Sequence, residues 1–320
     1  MEQDNILEVT DLKKTFHEKN GNEVKAVRGI SFHIKRGEIY GFLGPNGAGK
    51  STTITMLTTG LKPDGGKIVL DGIDVIRHPE QARGKIGVVA QHNNLDRSLT
   101  ARENLLYHAR YFGMDRKEAE EKADAYLEAF GLADRQNDYV SSYSGGMAQR
   151  LKIARAMMHT PEILFLDEPT TGLDPNYREI LWKQMLDLNK KGTTIFLTTH
   201  YMEEPERFCQ DIAIVSHGEL KATGTSAELK AMIPSKNIVS LKLDEVNDEL
   251  VKDASSLNNV EQAKVNNGIL QLYMKEKPDF DAIIRWTEKQ GRTLQNISLS
   301  TSTLDDVFMY LTGSAMNTAM

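Results

Sequence analysis

The sequence predicts an α/β fold with a mostly parallel central sheet, and three observations carry that prediction. Short runs rich in Ile, Val and Phe alternate with helical segments. A glycine-rich loop, "GPNGAGKST", runs from Gly44 to Thr52 directly between the apolar run "IYGFL" and a helix. The run "ILFLDE" places Asp167 and Glu168 at the carboxyl end of another apolar strand, where sites gather in sheets of this kind.

The elements follow in order. "ILEVTDL", "GISFHIK", "IYGFLG", "KIVLDG", "KIGVVAQ", "EILFLDEP", "TTIFLTTH" and "IAIVSHGEL" are bounded by Gly, Pro or Asp and read as strands. "STTITMLTTG" and "YREILWKQMLDLNKKG" read as helices between them. Residues 94–158 lack strand runs and show helical apolar spacing in "LTARENLLYHARYFGM" and "RKEAEEKADAYLEAFGL", which predicts a helical insertion. The pattern breaks at "AMIPSKN", so residues 1–230 are expected to form one domain and 231–237 a linker. Beyond it, "IVSLKLD", "NGILQLYMK" and "RTLQNISLS" read as strands and "DFDAIIRWTEKQG" as a helix, a small α+β domain over 238–312, with 313–320 as a disordered tail.

Composition narrows the classes. A formal net charge of -6 argues against a nucleic-acid binder, whose domain would show a basic excess. The basic residues Arg150, Lys152 and Arg155 therefore read as a solvated helix face. One cysteine, Cys209, excludes an internal disulfide and fits a reducing compartment. The start "MEQDNILEVT" is acidic, without the apolar stretch of a secretory signal, and no apolar run reaches the length of a membrane helix. Any membrane role is expected to come through a partner.

The chemistry begins at the glycine-rich loop. Gly44, Pro45, Asn46, Gly47, Ala48, Gly49, Lys50 and Ser51 match GxxxxGK[ST]. Such a loop turns its amides inward around phosphates, the lysine reaches the β- and γ-phosphates, and the serine hydroxyl holds magnesium. Hydrolysis also needs a carboxylate near the metal and a base for water, and Asp167 and Glu168 supply the two. A second anion-binding helix start appears at "YSGGMAQRLKIARA", from Ser144 onward.

Taken together these motifs resemble the ATP-binding cassette (ABC) ATPases over residues 5–230. The resemblance implies a P-loop cassette with an antiparallel β subdomain and a helical insertion. It implies Walker A at Gly44 to Ser51, with Thr52 following, and Walker B with its catalytic glutamate at Asp167 and Glu168. Gln91 matches the Q-loop, Asp174 in "TGLDP" the D-loop, His200 in "LTTH" the switch histidine, and Phe16 in "KKTF" the aromatic that stacks on adenine. Magnesium would be held by Ser51, Gln91 and Asp167. "SGGMAQ" matches the signature, with Tyr143 and Met147 where the commonest form has leucine and glutamine, as in the drug-exporter branch.

In this family two cassettes pair head to tail, so Ser144, Gly145 and Gly146 would act on nucleotide held by the other copy. The resemblance further implies a homodimer at the cytoplasmic face of the membrane, joined to separate permease subunits docking near the Q-loop and helical insertion, with ATP and magnesium as cofactors. The expected function is ATP hydrolysis driving transport, here export. A soluble cassette acting on nucleic acid or ribosomes is the second reading, and no nucleic acid is expected as partner. In "THYMEEPERF" a proline, Pro205, falls inside an expected helix, which is predicted to begin at or after it.

Overall fold

The computed structural model describes residues 4–17, 21–91, 94–199, 201–233, 237–266 and 268–312. The chain divides into two compact units that meet in sequence between Thr223 and Gly224.

The first unit opens with an antiparallel sheet of β1 (Asn5–His17), β2 (Glu23–Lys35), β4 (Gly65–Leu70) and β5 (Ile73–Asp74), in the order β2-β1-β4-β5. Ile30, Phe32 and Ile34 of β2 point inward while Ser31, His33 and Lys35 face water, the alternation of a half-buried antiparallel strand.

The central sheet differs because both its faces are covered. It contains β3 (Ile39–Leu43), β6 (Ile86–Val89), β7 (Ile163–Asp167), β8 (Thr194–Thr199), β9 (Asp211–Ser216) and β10 (Glu219–Gly224), in the order β10-β9-β3-β8-β7-β6. The pairs β9–β3, β3–β8, β8–β7 and β7–β6 are parallel. Every residue of β3, β7 and β8 is buried, which is why these strands read as continuous apolar or β-branched runs. Phe32, Tyr40, Phe42, Phe165 and Phe196 pack ring to ring between the two sheets, with centroids 5.3–6.2 Å apart.

Helices α1 (Lys50–Leu57), α2 (Pro79–Arg83), α6 (Pro175–Lys190) and α7 (Glu203–Phe208) flank these sheets. Pro205 does not delay α7, which begins two residues before it. A proline in the first turn removes no helical hydrogen bond, since amides there have no intrahelical acceptor.

Between β6 and β7 lie α3 (Ala101–Tyr111), α4 (Arg116–Ala129) and α5 (Gly145–Met157). Thr100 and Glu103 form a capping box on α3 and Asp115 caps α4. Ala101, Leu105, Ala109, Ala119, Ala123 and Leu127 are buried together with Leu151 of α5. The basic residues of α5 are not a solvated face: Arg150 is 5% exposed and Lys152 4%. The Arg150 guanidinium donates to the carbonyls of Phe130 (2.6 Å) and Gly131 (3.2 Å) and lies over the Tyr177 ring. Burial of these cations is tolerated because backbone carbonyls left free at the ends of neighbouring segments receive them.

The second unit holds a four-stranded antiparallel sheet, ordered β12-β13-β11-β14, of β11 (Asn237–Leu243), β12 (Val260–Asn266), β13 (Ile269–Met274) and β14 (Leu294–Thr301). With it are α8 (Ser226–Ala231), α9 (Asp248–Ala254), α10 (Phe280–Lys289) and α11 (Leu304–Thr312). Its core joins Val239, Leu241, Leu270, Leu272, Ile283 and Trp286. Among the described residues no helix is long and apolar enough to cross a membrane.

Candidate functional site

Parallel pairing sets the carboxyl ends of four strands side by side. Leu43 ends β3 opposite Thr199 of β8, Asp167 ends β7 opposite Thr198, and Val89 ends β6 opposite Leu166. The glycine-rich loop leaves β3 at this edge, the Asp167–Glu168 pair leaves β7, and Gln91 lies just beyond β6.

The loop is built for glycine. A side chain on Gly44 would meet the Val215 carbonyl oxygen at 2.3 Å, and one on Gly49 would meet that of Ala26 at 2.3 Å. Gly49 also has φ +99°, a conformation L residues rarely adopt. It sits at the start of α1, so the helix's free amides and dipole face the loop.

Lys50 is buried, and its Nζ donates to the carbonyls of Gly44 (2.8 Å) and Pro45 (3.1 Å), with Glu168 Oε1 at 3.9 Å. Burial lowers the pKa of its amine, while Glu168 and Asp167 pull it back up. The ammonium thus stands between the loop and the carboxylate pair, held by weak carbonyl acceptors that a phosphate would outcompete.

Asp167 is 7% exposed and accepts a 2.6 Å hydrogen bond from the Thr198 hydroxyl. The Glu168 amide in turn donates to the same hydroxyl at 3.1 Å, and Thr171 donates to Glu168 Oε2 at 3.3 Å. Glu168 has φ +50°, a strained backbone that aims its carboxylate out of the strand line. Nearby, Glu204 of α7 accepts from the hydroxyls of Thr170 (3.0 Å) and Thr199 (3.1 Å), fastening the segment after Glu168 to the end of β8.

These groups open on one cavity of about 560 Å³. Phe16, Pro45, Asn46, Gly47, Gly49, Lys50, Ser51, Thr52, Gln91 and Glu168 all line it. Phe16 is 40% exposed on β1, with the Lys14 ammonium 5.8 Å from its ring centroid, and an exposed ring of this kind can take a flat partner. Gly44 and Ala48 support the loop from beneath, with Gly44 against Val215 and the Ala48 carbonyl accepting from the Gly218 amide. Asp167 lies behind the wall. The hard oxygen donors of Ser51, Gln91 and Asp167 are of the type magnesium takes.

Other expected residues are not brought to this cavity. Ser144 caps α5, accepting from the Met147 amide at 3.3 Å, and Gly145 and Gly146 form the first turn of that helix. Asp174 caps α6 through the Tyr177 amide at 3.1 Å. His200 lies outside the described residues. Sequence reasoning passed over Thr198, Thr199 and Glu204. The only signal for the threonines was a pair of adjacent hydroxyls closing a buried strand whose middle, Ile195 to Leu197, is apolar.

Comparison with known proteins gives a consistent picture. Residues 27–171 match the family model described as "ABC transporter". The chain is 38% identical to the daunorubicin/doxorubicin resistance ATP-binding protein DrrA of Streptomyces peucetius, over 96% of this chain and 92% of that one. It is 34% identical to the linearmycin resistance ATP-binding protein LnrL of Bacillus subtilis, over 97% and 99%. It is 37% identical to the Nod factor export ATP-binding protein I of Paraburkholderia xenovorans, over 97% and 98%. Among solved structures, an ATP-binding subunit of an ABC transporter matches 71% of this chain and 92% of its own, with TM-score 0.66 and 31% identity. The cassette MJ0796, in a dimeric post-hydrolysis state bound to ADP and Pi, matches 68% and 98%, with TM-score 0.64 and 28% identity.

Proposed function

The chain belongs to the ABC transporter family as an ATP-binding subunit, and from that premise we propose how its residues turn ATP hydrolysis into export. The observation that carries the proposal is the convergence of the glycine-rich loop, Lys50, Gln91 and Glu168 on one cavity.

In this reading Phe16 stacks on adenine, and the amides of Gly47, Ala48, Gly49, Lys50, Ser51 and Thr52 cradle the phosphates. Lys50 exchanges the Gly44 and Pro45 carbonyls for β- and γ-phosphate oxygens. Ser51 and Gln91 would hold magnesium with Asp167 behind them, and the ion when bound would supply charge neutralisation for the phosphates. Glu168 accepts the proton of a water whose oxygen attacks the γ-phosphorus, and the bond to the β–γ bridging oxygen breaks, leaving ADP and phosphate. His200 contacts the γ-phosphate.

A second copy of the chain supplies Ser144, Gly145 and Gly146 to close the site from the opposite side, with Asp174 near the seam. The placement of Ser144 outside its own cavity supports this, as does the dimeric state of the similar cassette MJ0796. ATP then stabilises the closed pair because only that state completes the cradle, and hydrolysis releases it. Permease subunits dock near Gln91 and the helical insertion, holding the chain at the cytoplasmic face of the membrane. The naming of relatives for drug resistance and Nod factor export favours export over a nucleic-acid or ribosomal role.

Copurification from detergent-solubilised membranes tests this reading. An integral membrane protein retained with the ATP-hydrolysing chain is expected, whereas nucleic acid retained at high salt in its place would favour the second reading.

A further inference from the structure

α5 is capped by Ser144, and about two and three turns further along it presents Lys152 and Arg155 toward the segment that leaves β6. Lys152 is 4% exposed, and its Nζ donates to the carbonyls of Ala90 (2.9 Å) and Gln91 (3.4 Å). Arg155 donates to the Asn94 carbonyl at 2.8 Å and to its side-chain oxygen at 2.5 Å. Among the described residues neither cation forms a salt bridge with a carboxylate, and burial lowers the pKa of both. A buried ammonium with only carbonyls to receive it is a costly way to fill space that an apolar side chain would fill better. Its particular product is a fixed distance between α5 and the Gln91 backbone.

We propose that Lys152 is a positioning residue, which ties the backbone carrying Gln91 to the helix that begins at Ser144, so that the signature helix sets where Gln91 stands in the nucleotide cavity. The inference rests on the proposed function. Under it, one helix would engage the partner's nucleotide at its start and place a ligand residue of its own site through Lys152.

Turnover of the purified full-length chain at saturating ATP tests the idea, alongside ATP binding and thermal melting. Lys152→Met keeps the length and removes the donor. It should lower turnover about tenfold, with ATP affinity within about twofold of the parent and the melting temperature little changed. Lys152→Arg, which keeps a donor, should recover most of the rate. If Lys152 acts through Gln91, the double variant Lys152→Met with Gln91→Ala should be no slower than the slower single variant, because the two act as a unit. Should Lys152→Met not fold, Lys152→Gln takes its place in the same cycle. Turnover within twofold of the parent, or losses that multiply in the double variant, would overturn the inference. A parent chain that does not hydrolyse ATP would instead overturn the proposed function.

Discussion

The Thr198 hydroxyl donates to Asp167 Oδ1 at 2.6 Å and accepts from the Glu168 amide at 3.1 Å, so one side chain of β8 fixes both acidic residues at the end of β7. Thr198→Val keeps the shape and removes the hydroxyl, leaving a buried Asp167 carboxylate oxygen short of a partner, while the Glu168 amide keeps the Thr198 backbone carbonyl at 3.1 Å. Turnover should fall about tenfold, with a stability loss of about 1–3 kcal/mol by chemical denaturation. Unchanged turnover would mean that Asp167 and Glu168 hold their places unaided.

Gly49→Ala should damage fold and site together. The added carbon would meet the Ala26 carbonyl oxygen at 2.3 Å in a backbone at φ +99°. The strain is on the order of 1–3 kcal/mol, and relieving it moves the loop amides away from phosphate. Calorimetry should show a lower melting temperature and a loss of ATP affinity of at least tenfold.

Acid should weaken the helical insertion through His108. Burial, with Arg155 and His159 nearby, pushes its imidazole down to about 3, and among the described residues no group hydrogen-bonds its buried Nε2. The folded state therefore holds His108 neutral where the unfolded chain, with an ordinary value near 6.5, takes up a proton. The unfolded state binds more protons below that value, so stability is complete above it and declines as pH falls toward 3. Between pH 7 and pH 5 the loss is about 2 kcal/mol from this group. His108→Leu should flatten that part of the stability curve in urea melts, and an identical slope in parent and variant would contradict the assignment.

Ser144→Arg should leave ATP binding by the single chain within about twofold while cutting turnover at least tenfold, since Ser144 lies outside its own cavity. Mixed with Lys50→Ala protein, it should regain part of the rate, because one of the two shared sites in a mixed pair would keep both halves intact. No recovery in pairs shown to form would count against sharing.

What could be read from the sequence depended on how local the signal was. The loop at Gly44 to Thr52 and the acidic pair at Asp167 and Glu168 stand in short strand contexts, and pairing of β3, β8 and β7 brings Lys50 within 3.9 Å of Glu168. Lys152 was misread because charge along a helix says nothing about which neighbour covers it. Its partners at Ala90 and Gln91 come from a distant segment. Thr198 and Glu204 were invisible for the same reason, each taking its meaning from a residue on another strand or helix. Pro205 was misjudged because a proline's effect depends on its position in the first turn, which only the start of α7 at Glu203 reveals.

The central claim is that ATP joins two copies and that Glu168 activates the water that separates them. Glu168→Gln keeps size and hydrogen-bonding reach but removes the base, and turnover should fall by a factor on the order of a hundred or more. With hydrolysis blocked, ATP should trap the pair, since a ligand stabilises the state that binds it best. Light scattering at high protein concentration should give a doubled mass with ATP and a single mass with ADP. A mass indifferent to the nucleotide, or turnover equal to that of the parent chain, would contradict the account.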